Sequence, residues 1–517
     1  MDLSSPQSHY SNKIIAALFL FLLCFVLLGL LFHSLPAQAA VTWQIKVDPW
    51  VLAQAQKGET DFILFLNQQA DLSAAATMST KNEKAWYVYQ QLTAVAKRSQ
   101  PALIQTLRNR GWKYQPYWVA NMILVHGDST ALQYLASRSD VSHIYANPMV
   151  KQDLPQPLNP SGILATEGLE WNIAKVNANL VWDYGFRGQG AVIAGQDTGY
   201  DWEHPALKNA YRGWDGSRAE HDYNWHDAIH VSNSRCPGDS PIPCDDYGHG
   251  THTMGTMVGE DGVNQIGMAP AAKWIGCRNM NFGVGSPATY TECFQFFLAP
   301  TKLDGSDPRP DLAPDVINNS WSCPVSEGCS DPNVLRTVVE NVRAAGILTV
   351  QSAGNKYNPE CSSITDPAGI YQASFTVGAT DSADVIASFS RLGPVTVDGS
   401  NRTKPDISAP GVGIRSSLPH NGYGTMSGTS MAAPHVAGLA ALIISADPTL
   451  QGDPDRIQNV IESGAIPRTT TQSCGSIPGT SIPNNTYGYG RIDALASLGK
   501  VYPLYWYYFP FVPNQKP

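Results

Sequence analysis

The amino-acid sequence predicts an α/β protein in two parts: a doubly wound parallel sheet with helices on both faces, preceded by a small α+β unit. Three observations predict it. The chain, at 517 residues, is too long for a single core. Over residues 171–498, short apolar runs at 191–194, 274–275, 316–317, 347–350 and 375–377 alternate with helical stretches. That is the pattern of parallel strands joined by crossover helices. Ahead of it, residues 41–160 hold no cysteine and differ in charge. They carry 11 Lys+Arg against 8 Asp+Glu, net +3, whereas residues 161–517 carry 22 against 34, net −12.

In chain order, the first element is a targeting segment. Lys13 precedes an apolar run over 14–32, and Ala37-Gln38-Ala39 follows with the A-x-A pattern of signal cleavage. Residues 1–39 are read as a signal peptide. The run is just long enough to span a bilayer, so a retained signal anchor is the alternative. Either way the bulk of the chain lies outside the cytoplasm, and membrane contact is expected only if the segment is retained.

Residues 40–165 form the α+β unit. Residues 61–66, 118–125 and 141–145 are strand-like. Residues 84–110 are helical and closed by Gly111, and 130–136 are helical again. The alternation predicts a split βαβ, ferredoxin-like unit. A Pro/Asn/Gly-rich loop over 155–168 marks its end. The main domain is expected over 166–499. The tail, 500–517, is aromatic, too short and proline-broken to cross a membrane, and predicted to dock on the domain surface.

Once Cys24 leaves with the signal segment, eight cysteines remain: Cys236, Cys244, Cys277, Cys293, Cys323, Cys329, Cys361 and Cys474. An even count in an exported chain reads as disulfides, with 105 possible pairings. The close spacings of Cys236 to Cys244 and of Cys323 to Cys329 suggest local staples. The acidity of the main domain argues against a nucleic-acid partner.

Four motifs fall where a parallel sheet places its ligands, beyond the carboxyl ends of strands. The strand at 191–194 runs into Gly195-Gln196-Asp197-Thr198-Gly199. Asp246-Tyr247-Gly248-His249-Gly250-Thr251-His252 opens a helix. A strand ending at Val350 leads to Ser352-Ala353-Gly354-Asn355. Gly428-Thr429-Ser430 delivers a serine to the start of a helix whose apolar positions, Val436, Leu439, Ala440 and Ile443, have helical spacing. Pro434 is expected in that helix's first turn, where no N–H is needed. A serine hydroxyl is a weak nucleophile and needs a base, which His249 can be. Asp197 can hold the imidazole in the right tautomer. Asn355 can donate its side-chain amide, and Ser430 its backbone N–H, to a developing oxyanion.

Other chemistries fit less well. An esterase of the α/β-hydrolase type wants G-x-S-x-G and the order Ser, Asp, His; here Ala432 stands in the last glycine's place and the order is Asp, His, Ser. His226 and His230 are spaced like zinc ligands, but Asp227 stands where a zincin has Glu, so both are read as surface residues. His252 is expected to be a structural histidine. A non-enzymatic binding protein on this fold is the remaining alternative, separated by serine labelling.

The four motifs resemble the signature blocks of the subtilisin-like serine proteases (peptidase S8), and Gly276-Cys277-Arg278-Asn279-Met280 and Ile317-Asn318-Asn319-Ser320-Trp321 resemble their bacillopeptidase F-like branch. The resemblance covers residues 171–498. It implies a subtilisin-like fold with Asp197, His249 and Ser430 as catalytic triad and Asn355 as oxyanion donor. Ser320, Trp321 and Ser322 would form one wall of the substrate cleft, pairing with substrate as an added strand, and Ser352, Ala353 and Gly354 the facing wall. It implies polypeptide substrates and a self-processing precursor. Residues 40–165 would be the propeptide, chaperone and inhibitor to the enzyme. The opposite net charges of the two parts give a physical reason for fast, salt-sensitive association. No cofactor or metal is required. Structural calcium, common in the family, stays an alternative, although no D-x-D-x-D-G loop is present.

Overall fold

The computed structural model describes residues 43–152, 154–155 and 168–504. The expected signal segment, most of the boundary loop and nearly all of the aromatic tail lie outside them. The chain divides into residues 1–45 and a unit spanning 46–517, and the latter holds the two large sheets.

Its first part is a four-stranded antiparallel sheet of β1 (Thr60–Leu66), β2 (Lys113–Tyr117), β3 (Met122–Gly127) and β4 (Val141–Ala146), in the order β2-β3-β1-β4. Helices α1 (Lys81–Ser99) and α2 (Pro101–Asn109) follow β1, and α3 (Ser129–Ala136) joins β3 to β4. Two expectations are corrected here. The single helix over 84–110 is two helices, because Pro101 starts a new one at N1, where its missing N–H costs nothing. The strand over 118–125 is a hairpin. Residues 118–121 turn, with Asn121 at φ 44°, a left-handed conformation that asparagine tolerates. A short strand, β5 (Val150–Lys151), ends this part.

The second part is built on seven parallel strands: β6 (Val192–Asp197), β7 (Trp225–Asp227), β8 (Lys273–Arg278), β10 (Val316–Asn319), β11 (Leu348–Ser352), β12 (Ser374–Thr380) and β13 (Ile407–Pro410). Between β8 and β10 comes the two-residue β9 (Val284–Gly285). The sheet order is β13-β12-β11-β10-β6-β8-β7. From β6 the chain builds outward on one side through β8 and then on the other through β10, so the carboxyl ends of β6 and β10 flank the crevice where such sheets bind ligands. Every residue of β10, β11, β12 and β13 is buried, as expected of parallel strands covered on both faces.

The helix α7 (Thr429–Ala446) is apolar on all sides and buried from Thr429 to Ile444. A Cβ on Gly438 would lie 2.4 Å from Met268 Cβ, so only glycine allows this packing. Helix α4 (His249–Val258), buried throughout, packs against α7. Helices α5 (Pro287–Leu298) and α6 (Arg336–Ala344) meet the N-terminal part. Lys81 Nζ bonds Asp315 Oδ1 at 2.7 Å, Gln115 bonds Glu292 at 2.6 Å, Asn341 bonds the Val119 carbonyl at 2.7 Å, and His143 lies 3.2 Å from Asp331. A continuous apolar cluster, including Val119, Met122, Phe294 and Phe297, joins the two parts beneath these polar ties.

All eight cysteines pair, as Cys236–Cys244, Cys277–Cys293, Cys323–Cys329 and Cys361–Cys474. At the start of the tail, Tyr502 packs edge-on against Phe186.

Candidate active site

Asp197 is the last residue of β6, and His249 the first of α4. The two come together because the strand end and the helix start are tied by one carboxylate. Asp245 Oδ1 accepts from Thr198 Oγ1 and from the Tyr247 and Gly248 N–H groups, and its Oδ2 accepts from Thr251 N and Oγ1. Burial raises the Asp245 carboxyl, opposed by those bonds. Gly250 permits the approach: a Cβ there would sit 2.1 Å from the Gly199 carbonyl oxygen. The result is a 2.7 Å hydrogen bond between His249 Nδ1 and Asp197 Oδ1, with both side chains buried. His249 Nε2 has no hydrogen-bond partner among the described residues, so the ring presents a free nitrogen able to take a proton.

Ser430 stands at the second position of α7, after Gly428 as N-cap and Thr429. Its backbone N–H is one of the helix's unpaired donors. Pro434 is not in the first turn as expected but deeper inside the helix. The physical consequence is specific. Pro434 has no N–H to give the Ser430 carbonyl four residues back, and Ser320 Oγ donates to that carbonyl instead, at 3.0 Å. Ser430 Oγ in turn donates to the Ser320 carbonyl at 3.3 Å. The described geometry therefore joins Asp197 to His249 but leaves the serine hydroxyl turned to Ser320.

Asn355 follows β11 by three residues. Its Oδ1 accepts from Thr429 N at 2.9 Å and Thr429 Oγ1 at 3.0 Å, which turns Nδ2 toward the start of α7: it lies 3.4 Å from where a Cβ of Gly428 would be. Asn355 Nδ2–H and Ser430 N–H thus converge beside Ser430.

The expected walls are both present. Ser320, Trp321, Ser322, Ser352, Gly354, Asn355, Thr429 and Ser430 line one cavity; Ala353, 4 % exposed, lies within the second wall. Trp321 is turned inward, stacked on Tyr290 at 3.9 Å between ring centroids. The strand-like pairing differs from expectation. The chain's own β5 runs antiparallel to β9, pairing Val150 with Gly285 and Lys151 with Val284. Ser322 is met by a side chain rather than a backbone: Gln152 Oε1 accepts from Ser322 N at 2.9 Å and Gln152 Nε2 donates to Ser322 O at 2.5 Å. Lys151 N donates to Glu327 Oε2 at 2.5 Å. Pro155 Cγ lies 2.9 Å from the position of a Gly428 Cβ, so residues 150–152 lie along the cleft and Pro155 beside the start of α7. Sequence reasoning missed β9, Glu327, Arg391 and Asp245. The Asp245-Asp246 pair before His249 was a signal for the last; no motif pointed to the others.

The other histidines that the sequence singles out are accounted for. His252 Nε2 lies 3.0 Å from the Ile414 carbonyl, and burial lowers its pKa to about 3. Of His226 and His230, both expected at the surface, His230 is exposed as expected and His226 is half-buried. They share the buried Glu292, at 2.8 and 3.3 Å. The bond to Glu292 raises His230 to about 9, and the two histidines hold Glu292, despite its burial, down at about 2. Among the described residues no group of three or more His, Cys, Asp or Glu is disposed to hold a metal ion.

Residues 188–490 match the subtilase family, peptidase S8. The chain is 35% identical over 497 residues to bacillopeptidase F of Bacillus subtilis (strain 168), covering 90% of this chain and 33% of that protein, so it spans a third of that relative's length. It is 25% identical over 392 residues to subtilisin E of the same strain (75% of this chain, 87% of the relative) and 29% identical over 333 residues to subtilisin Savinase of Lederbergia lenta (64% and 99%). With the family match covering more than half of its length, this chain belongs to the subtilase family of serine peptidases.

Proposed function

We propose that the chain is an exported endopeptidase, made as a self-processing precursor, that hydrolyses polypeptides through an acyl-enzyme on Ser430. The observation that carries this reading is the buried 2.7 Å bond between His249 and Asp197, which leaves Nε2 free to act as base. Ser430 Oγ leaves the Ser320 carbonyl and attacks the substrate carbonyl carbon, and its proton passes to His249 Nε2. Asp197 stabilises the imidazolium. The oxyanion takes hydrogen bonds from Asn355 Nδ2 and Ser430 N. When the C–N bond breaks, His249 returns the proton to the leaving amine, and water then releases the acyl group by the same steps. No metal or cofactor takes part.

Residues 40–165 are the propeptide in this reading. Its last strand pairs with β9 and its Pro155 lies against Gly428, the position of an inhibitor that is also the first substrate. Export is supported by the A-x-A pattern at Ala37-Gln38-Ala39 and by four disulfides. The test is to secrete wild type and Ser430→Ala from the same host and compare their sizes. Wild type should lose the mass of residues 40–165 and begin between residues 151 and 170, while Ser430→Ala stays long. Equal shortening of both would assign maturation to another protease.

A further inference from the structure

Arg391 lines the cavity between the two cleft walls, together with Ser320, Ser352, Gly354, Asn355 and Ser430; the cavity measures about 200 Å³. Its stem lies flat on Gly354, where a Cβ would come 3.0 Å from Arg391 Cδ. Its guanidinium is fixed on two sides: Nε donates to the Asn355 carbonyl at 3.3 Å, and Nη1 lies 2.7 Å from Asp366 Oδ2 and 3.4 Å from Thr365 Oγ1. Nη2 has no acceptor among the described residues. Asp366 lies behind the guanidinium and does not line the cavity; Thr365 Oγ1 donates to its Oδ1 at 2.8 Å. The cation therefore faces the cavity and its counter-ion faces the protein.

A peptide held with its carbonyl oxygen between Asn355 Nδ2 and Ser430 N must send the side chain of that same residue between the walls, toward Arg391. We propose that Arg391 is a specificity-determining residue that selects substrates with a carboxylate side chain, Glu before Asp, on the residue whose carbonyl is attacked. The inference rests on the reading of this cleft as the peptide site. A planar guanidinium already held by its Nε and Nη1 edges offers Nη2 to a carboxylate with little further loss of freedom. The acidic group that lines the cavity, Glu327, sits beside Lys151, where it opposes an acidic residue further along the peptide rather than at the scissile bond.

The experiment measures kcat/KM of the processed enzyme on peptides that differ only at that residue, as Glu, Gln, Leu or Lys, at low and high salt. Active enzyme is first counted with a fluorophosphonate. Absence of labelling would sink the peptidase reading itself and is thereby distinguished from failure of this inference. The expected order is Glu over Gln by about tenfold or more, the worth of one charge-assisted hydrogen bond, with Lys poorest and the Glu preference shrinking in salt. In Arg391→Gln the Glu-to-Leu ratio should fall by about tenfold or more, and Arg391→Lys should restore part of it. If Arg391→Gln yields no labelled enzyme, the wild-type order and its salt dependence decide. A wild type that cleaves the Lys and Glu peptides equally, or an Arg391→Gln that lowers all four together, overturns the proposal.

Discussion

The two large sheets of this chain bury their strands in different ways. In the larger one β10 to β13 are buried at every residue, between α7 on one face and helices such as α6 on the other. In the smaller one β2 has a single buried residue, Tyr117, and the unit completes its packing on α5 and α6. The larger part carries its own core, whereas the smaller part buries Phe62, Leu64, Val125 and Leu132 within itself but borrows cover for Ile63, Val88 and Met122 from its neighbour. Function and dispensability divide along the same line. In the proposed reading the catalytic geometry is built wholly from the larger part, and the borrowed contacts are those of a propeptide to be removed.

Substitutions can probe this division, and the largest expected effect is on the chemistry. Asp197→Asn leaves the packing of β6 intact but holds His249 in the wrong tautomer, so kcat should fall about 10⁴-fold, measured on a peptide substrate with enzyme counted by mass. Next, Asn355→Leu removes one oxyanion donor and should lower kcat by about 10²–10³, a figure taken from subtilisin itself, a relative of this chain. KM should move far less.

Acid should separate the two parts. His252 and His435 lie in the core of the larger one, and burial lowers them to about 3 and about 4. A lowered histidine contributes stability that is full above its unfolded pKa near 6.5 and is lost as pH falls toward the folded value. Each costs up to about 1.4 kcal/mol per pH unit over that window. The smaller part's His126 has the opposite sign, raised by its hydrogen bond to Asp61. Asp246 and Glu462, which burial raises to about 6 and about 7, also oppose the loss within the larger part. The melting temperature of the mature domain should therefore fall less steeply from pH 6.5 to 4.5 in His435→Gln than in wild type. Equal slopes would show that His435 does not contribute to acid sensitivity.

The smallest effect concerns the borrowed contacts. Lys81 is the partner of Asp315, which is 1 % exposed. In a Ser430→Ala precursor, Lys81→Ala should leave that carboxylate without its bonded cation, with only the Val192 N–H still donating to it among the described residues. The N-terminal part should then become about tenfold more sensitive to added trypsin. High salt should act in the same direction if the charge difference between the parts contributes.

Much of this was legible in the sequence because the chemistry is local. Asp197, His249, Asn355 and Ser430 each sit in a run of small residues that marks a close approach, and the apolar runs between them mark buried strands. What was not legible depends on partners far along the chain. Pro434 reads as a first-turn residue until Ser320, more than a hundred residues earlier, is seen to take the bond it frees. His226 reads as a surface residue until Glu292, far along the chain, is seen to bond it. Arg391 has no motif at all, since its place is set by Asn355, Thr365 and Asp366 from a different stretch.

Both the fold's division and the chemistry turn on Ser430 as a nucleophile activated by His249 and Asp197. The decisive experiment exposes processed wild type, Asp197→Asn and Ser430→Ala to a fluorophosphonate and maps the modified residue by mass spectrometry. Variants that do not process themselves are cut by added wild-type enzyme. Wild type should carry a single adduct, on Ser430. The same adduct should form far more slowly in Asp197→Asn and not at all in Ser430→Ala. An adduct on another serine, or a wild type that stays unlabelled with residues 40–165 removed, would contradict this assignment.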